Sequence, residues 1–320
     1  MTRTLPLNTH LIDVGPLVYG CMALGGDWGD GPVSEADIAQ AHAAVEAALD
    51  IGVRLFDHAD IYRRGKAEAV FGELLRRDPG LRAKVRLQSK CGIRFADDAH
   101  VGRYDLSAEH IENSVDGILQ RLAVERIDLL LLHRPDPLMQ PAEVARAFGR
   151  LKAAGKVGHL GVSNMHAGQM RWLQTALPEP LVVNQLELSL AKLDALDAGT
   201  TFNDPQAATR PGGLAWAGTL EYAQQHGVQI QAWGALAQGR FNDAGASPAA
   251  RAVHEIAEAH RTTANAVLLA WLLRHPAGIQ PVIGSGKAER IRACGDATRI
   301  RLSRDEWYRL YVTGRGQALP

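Results

Sequence analysis

Cysteine is scarce: Cys21, Cys91 and Cys294 are the only three in 320 residues. They are too few and too widely spaced for a disulfide framework or a zinc knuckle, and they point to reduced thiols in a cytoplasmic setting. Charge of one sign is lacking too. The 35 basic residues are balanced by 35 acidic ones, and no basic tract is long enough to suggest a phosphate-binding arm, which excludes an obvious nucleic-acid partner. No apolar run approaches the ~18 residues of a membrane span. The opening MTRTLPLNTHLIDVG lacks the long apolar stretch of a signal peptide. No G-x-G-x-x-G follows the first apolar run, which removes the usual mark of a doubly wound dinucleotide fold. What remains is an ordinary globular profile, 46% hydrophobic and 22% charged, long enough for a large core.

Short apolar runs alternate with longer amphipathic ones. LVYGCM (17–22), VRLFD (53–57), VRLQSK (85–90), IDLLLLH (127–133), VGHLGVS (157–163), LVVNQ (181–185), VQIQAW (228–233) and IQPVI (279–283) read as strands. Between them lie segments of helical period. One is capped by Ser34 with Asp37 at its third position, and another by Ser107. Others cover 66–77, 166–177, 214–226, 248–260 and 263–274, and one opens at Pro141 and stops at Gly155. Eight strand-helix units without a break in composition predict a single α/β domain over 1–320, a closed (β/α)8 TIM barrel. The first residues, TLPLNTHLIDVG, are expected to form a β-hairpin across the barrel floor, turning near Asn8 and Thr9.

Such barrels carry their sites at the C-terminal ends of the strands. Read in order, those ends are Asp57, Lys90, His133, Ser163 with Asn164, Gln185 and Trp233, with Tyr62 in the loop after Asp57. Within FDHADIY, Asp57 belongs to the strand end. Asp60 falls in the loop, where a capping role is the ordinary expectation, and strand alternation turns His58 away from Asp57. A barrel metal site would need several ligands at one height. No H-x-H ends the first strand, and the later strands end in Ser, Gln and Trp, so no metal is expected.

The ordered set FDHADIY, LQSK, DLLLLHRPD, LKAAGKVGHLGVSN and VVNQLELS resembles the aldo-keto reductase family over nearly the whole chain, and within it a bacterial branch of oxidoreductases. The resemblance implies NADPH-dependent reduction of a small carbonyl substrate. Tyr62 would be the general acid, mostly protonated with an unperturbed pKa of ~10. Lys90 would lower that pKa, Asp57 would hold Lys90 as an ammonium, and His133 would orient the carbonyl. Ser163, Asn164 and Gln185 would bind the nicotinamide carboxamide, and Trp233 would stack on the ring. Gly20, Leu236, Gly239, Arg240, Ser285, Lys287 and Arg290 would complete the cofactor site. Gly284 stands where many members have lysine, with Lys287 nearby as a substitute; NADPH rather than NADH is expected. Substrate choice would fall to the loops 25–31 (with Trp28), 92–106 (with Phe95 and Tyr104) and 186–213. A monomer is expected. Two alternatives stay open: a cofactor-binding regulatory protein without turnover, and a Schiff-base aldolase using Lys90.

Overall fold

The computed structural model describes residues 5–201, residue 204 and residues 215–320. Its centre is a closed parallel barrel of eight strands: β1 (Val18–Gly20), β2 (Leu55–Asp57), β3 (Arg86–Cys91), β4 (Ile127–Leu132), β5 (Val157–Ser163), β6 (Val183–Glu187), β7 (Gln229–Trp233) and β8 (Gln280–Ile283). Each strand pairs with its sequence neighbour, and β8 closes on β1.

Alternation along the strands sorts two cores. In β4, Leu129 and Leu131 point into the barrel, while Leu130 and Leu132 point out to the helices. In β2, Leu55 faces in and Phe56 out. The inner set is small and sits low, with Val18, Leu55, Leu129, Leu131 and Val183 packed on Leu5, Leu7 and Val14. The outer set is the large one, lying between the barrel wall and the helices. Each fully buried leucine contributes ~1.5–3 kcal/mol.

The helices start where the caps predict. Ser34 accepts from the Asp37 amide and Asp37 answers with its side chain, a complete capping box opening Glu35–Asp50. Ser107 accepts from the His110 amide and opens Ala108–Leu122. The helix expected from 214 begins at Thr219, after a turn that ends with Gly218 at φ 73°.

The N-terminal hairpin is corrected. Among the described residues the segment crosses the floor as a 3-10 turn, Pro6–Thr9, and not as paired strands. Pro6 at the first helical position supplies a suitable φ, the Thr9 hydroxyl donates to the Pro6 carbonyl at 2.8 Å, and Asn8 Oδ1 accepts from the Val14 amide at 3.2 Å. The molecule does hold a small antiparallel pair, Ile93–Arg94 with Arg103–Tyr104, in the loop after β3. The loop after β6 carries a short helix, Asp194–Asp197; residues 202–203 and 205–213 of that expected loop lie outside the described residues.

Candidate active site

The strand ends bring four distant residues together. Lys90 points inward from β3 and is fully buried. Its ammonium donates to Asp57 Oδ2 at 2.7 Å, to the His58 carbonyl at 2.9 Å and to the Tyr62 hydroxyl at 2.9 Å. His133, at the end of β4, meets the Tyr62 ring edge-on at a centroid distance of 6.0 Å. Burial pulls Lys90 toward losing its proton, but Asp57 and Tyr62 overcome that, and the net shift is upward. Burial also raises the Tyr62 phenol, with Lys90 opposing it, so Tyr62 is protonated at neutral pH and can donate. Burial, with Lys90 and Arg134 acting in the same sense, holds His133 well below its usual range and keeps the imidazole neutral. Its buried Nδ1 has no partner among the described residues. The site is therefore a proton donor beside a fixed cation, with a neutral ring at its edge. An ammonium held this firmly is poorly suited to attack as a free amine.

Asp57 is itself supported from below. Gln88, one inward position before Lys90, donates to Asp57 Oδ1 at 2.5 Å and exchanges hydrogen bonds with Gln231 at 2.9 and 3.1 Å. Gln231 donates to Gln280 at 3.2 Å, and Gln280 to the Gly15 carbonyl at 2.7 Å. This chain of buried amides separates the apolar floor from the mouth. The sequence reading missed it, although the signal was there: glutamines at alternate places in VQIQAW, and in LQS and IQP, inside otherwise buried strands.

The residues expected around the nicotinamide form one network. The Ser163 hydroxyl donates to the Gln185 carbonyl at 2.8 Å. Asn164, left-handed at φ 59°, donates to Ser163 Oγ at 2.8 Å and accepts from Trp233 Nε1 at 3.1 Å. Gln185 donates to Gln231 at 3.0 Å. A cleft of about 320 Å³ opens beside them, lined by Tyr104, Arg134, Asn164, Glu187, Trp216 and Trp233. Leu236, Gly239 and Arg240 follow β7, while Ser285, Lys287 and Arg290 follow β8, adjacent in the barrel. Among the described residues, the exposed Arg240, Lys287 and Arg290 have no carboxylate partner, which suits a phosphate-bearing ligand. Gly20 pairs with Asp57 across β1 and β2. A Cβ there would stand 3.0 Å from Val282 Cγ1.

Of two neighbours, one departs from expectation and one meets it. Asp60 does not cap a helix: Gly65 holds the cap position of Lys66–Arg77, and among the described residues the buried Asp60 Oδ1 has no hydrogen-bond partner. Burial, reinforced by Glu68, pushes its carboxyl up to about 7. His58 does turn away, packing edge-on against Phe71 at 4.8 Å, and neither ring nitrogen has a partner among the described residues. Directly after Tyr62, Arg63, Arg64 and Gly65 are all left-handed, with φ of 52°, 56° and 87°. Two consecutive side-chain-bearing residues in that region store strain of order 1–2 kcal/mol each. Their guanidinium groups tie down the rim: Arg63 donates to the Met22 carbonyl at 3.0 Å and Arg64 to the Trp28 carbonyl at 3.1 Å. Trp28 and Phe95 lie under these same arginines, at 5.2 and 5.5 Å.

The sequence profile of the aldo/keto reductase family matches residues 16–311. The chain is 37% identical over 312 residues to a 6-dehydroglucose reductase of Agrobacterium fabrum, covering 96% of each protein. It is 39% identical over 280 residues to the oxidoreductase YdhF of Escherichia coli, covering 86% of this chain and 88% of that one. Among solved structures, an aldo-keto reductase from Klebsiella pneumoniae in complex with NADPH superimposes with a TM-score of 0.70 at 27% identity, over 93% of this chain and 90% of that one. Among the described residues, no helix is long and apolar enough to cross a membrane.

Proposed function

The chain belongs to the aldo/keto reductase family and is an oxidoreductase, and on that premise we propose that it uses NADPH to reduce aldehydes or ketones to alcohols. One observation carries the reading: the buried Lys90 ammonium sits between the Asp57 carboxylate, at 2.7 Å, and the Tyr62 hydroxyl, at 2.9 Å. NADPH, when bound, supplies the hydride. As negative charge grows on the substrate oxygen, Tyr62 donates its proton and Lys90 steadies the phenolate left behind. Asp57 keeps Lys90 charged. The neutral His133 donates a hydrogen bond that orients the carbonyl. Ser163, Asn164 and Gln185 have the donors and acceptors to hold a carboxamide, exchanging their present internal bonds for it, and Trp233 offers a flat face to the ring. Leu236, Gly239, Arg240, Ser285, Lys287 and Arg290 take the phosphate end, with Gly20 beside them at the end of β1, packed close against β8. The unpaired cations there favour NADPH over NADH.

The substrate class follows from the cleft. Arg134, Lys192, Glu187 and Asp194 offer donors and acceptors among the faces of Tyr104, Trp216 and Trp233, a mixture suited to a hydroxylated aldehyde. The similarity to a 6-dehydroglucose reductase supports a sugar-derived one. On this reading the 1–320 chain works as one domain, as a monomer, in the cytoplasm.

The test follows NADPH absorbance across aldehydes, ketones and sugar aldehydes, with Tyr62→Phe as the control. This variant is expected to bind NADPH in a fluorescence titration while losing roughly 10²–10⁴ in kcat. Wild-type turnover by Tyr62→Phe would end the assignment of the acid.

A further inference from the structure

On the outer side of β3 lies a second set of charges, grouped about one buried carboxylate, that the reaction as described leaves unused. Glu68, in the first turn of Lys66–Arg77, is fully buried. Its Oε1 accepts from the Ser89 hydroxyl at 2.5 Å and its Oε2 from Arg121 Nε at 2.8 Å. Ser89 precedes Lys90 on β3, so the two side chains leave opposite faces of the barrel wall. Asp60 joins them: its amide donates to the Lys90 carbonyl at 3.0 Å, and its carboxyl feels both Glu68 and Arg121.

The space for Arg121 is kept open by glycine. A Cβ on Gly65 would stand 2.8 Å from Arg121 Cδ, and one on Gly117 would stand 2.9 Å from its Nη1. Gly117 lies inside Ala108–Leu122, where glycine weakens a helix relative to alanine. Among the described side chains, the Arg121 guanidinium is what its missing methyl makes room for.

We propose that Glu68 and Arg121 are positioning residues of the reduction: Glu68, bonded to Ser89 and paired with the half-buried Arg121, fastens the helix that follows Tyr62 to the strand carrying Lys90, and its carboxylate adds to the negative field around Lys90. The inference rests on Tyr62 acting as the acid beside Lys90. The charged groups facing Glu68 are Asp60 from the loop after β2, Lys90 from β3 and Arg121 from Ala108–Leu122, with Asp57 across the strand. The neutral ones are Cys21 and Cys91, whose thiols burial raises, and His58, whose ring burial keeps uncharged.

Glu68→Gln keeps the shape and removes the charge. With NADPH and glyceraldehyde, kcat is expected to fall roughly tenfold or more while KM for NADPH stays within about threefold. The alkaline limb of the kcat–pH profile is expected to move down by about half a pH unit or more, because losing a neighbouring negative charge lowers the pKa of a phenol and of an ammonium alike. Arg121→Met is the second variant. It keeps the length of the side chain and removes the guanidinium that donates to Glu68 Oε2; with circular dichroism verifying that it stays folded, it is expected to lose kcat as well. Wild-type kcat and an unmoved limb in Glu68→Gln, or wild-type kcat in folded Arg121→Met, would overturn the inference. So would a loss of NADPH binding in step with kcat, which marks a collapsed barrel. If the wild type turned over no aldehyde, the reductase reading and this inference would fall together; an active wild type with unaffected variants removes this inference alone.

Discussion

Lys90→Met removes an ammonium from the centre of the site without shortening the chain, and its consequences can be worked out from the contacts. Three oxygens lose their donor: Asp57 Oδ2, the His58 carbonyl and the Tyr62 hydroxyl. Asp57 would stay buried as a carboxylate with Gln88 as its remaining side-chain donor, at 2.5 Å. Removing one member of a buried pair costs roughly 3–5 kcal/mol, most of it for the charge left behind. Asp57→Asn is the mirror case and is expected to cost about as much, since it leaves the ammonium without its counter-ion. The double variant has neither charge. Its loss should fall short of the sum of the two single losses by about 2 kcal/mol or more. Equilibrium urea unfolding of all four proteins near neutral pH measures this coupling, with slopes compared to establish that the unfolded states are alike. Turnover should not return in the double variant, because neutrality restores the fold and not the cation beside Tyr62. Additivity of the two single losses to within about 0.5 kcal/mol would refute the argument, since it would mean the two charges do not depend on each other.

Three further outcomes are expected. Burial pulls His58 down to about 3, below its unfolded value. The native state therefore loses stability as pH falls below about 6.5, and His58→Leu should gain roughly 2 kcal/mol on the wild type between pH 7.5 and pH 5 in urea unfolding. Asp60 is shifted the other way, up to about 7, so the native state holds the extra proton and stability declines as pH rises from about 4 toward 7. Asp60→Asn should then gain roughly 2–3 kcal/mol on the wild type between pH 5 and pH 8, and equal pH slopes would show that Asp60 titrates as an ordinary carboxyl. Arg290→Ala should raise KM for NADPH roughly tenfold while leaving KM for NADH within about twofold, and equal effects on both would place Arg290 away from the distinguishing phosphate.

The barrel was legible because its strands are short apolar runs ending in polar residues, and because Ser34 and Ser107 mark helix starts with an unambiguous hydroxyl. The meeting of Asp57, Tyr62, Lys90 and His133 could be expected for the same reason: strand ends in a closed parallel barrel share one rim. Other features were hidden by what a linear pattern leaves out. The floor segment has the alternation of a hairpin, but Pro6 and the Asn8 side chain close a tight turn first. Asp60 sits where a loop acid usually caps a helix. The charges that act on it there, Glu68 and Arg121, stand eight and 61 positions further along the chain. The left-handed run after Tyr62 had no signal beyond Gly65, since arginines seldom occupy that region and nothing in their neighbours requires it.

The amide chain inside the barrel donates outward at both of its ends. Gln88 turns its NH2 toward Asp57 and Gln280 turns its own toward Gly15, so both ends terminate on atoms that can only receive a proton. None of the intervening amides can flip alone. A change as slight as Gln88→Glu would set two carboxyl oxygens face to face where 2.5 Å now separates donor from acceptor. Such a contact is tolerable only with a shared proton, and the proton would neutralise the one anion that anchors Lys90. Replacing a single nitrogen by oxygen one layer beneath the mouth would thus be felt as a missing counter-ion at its surface.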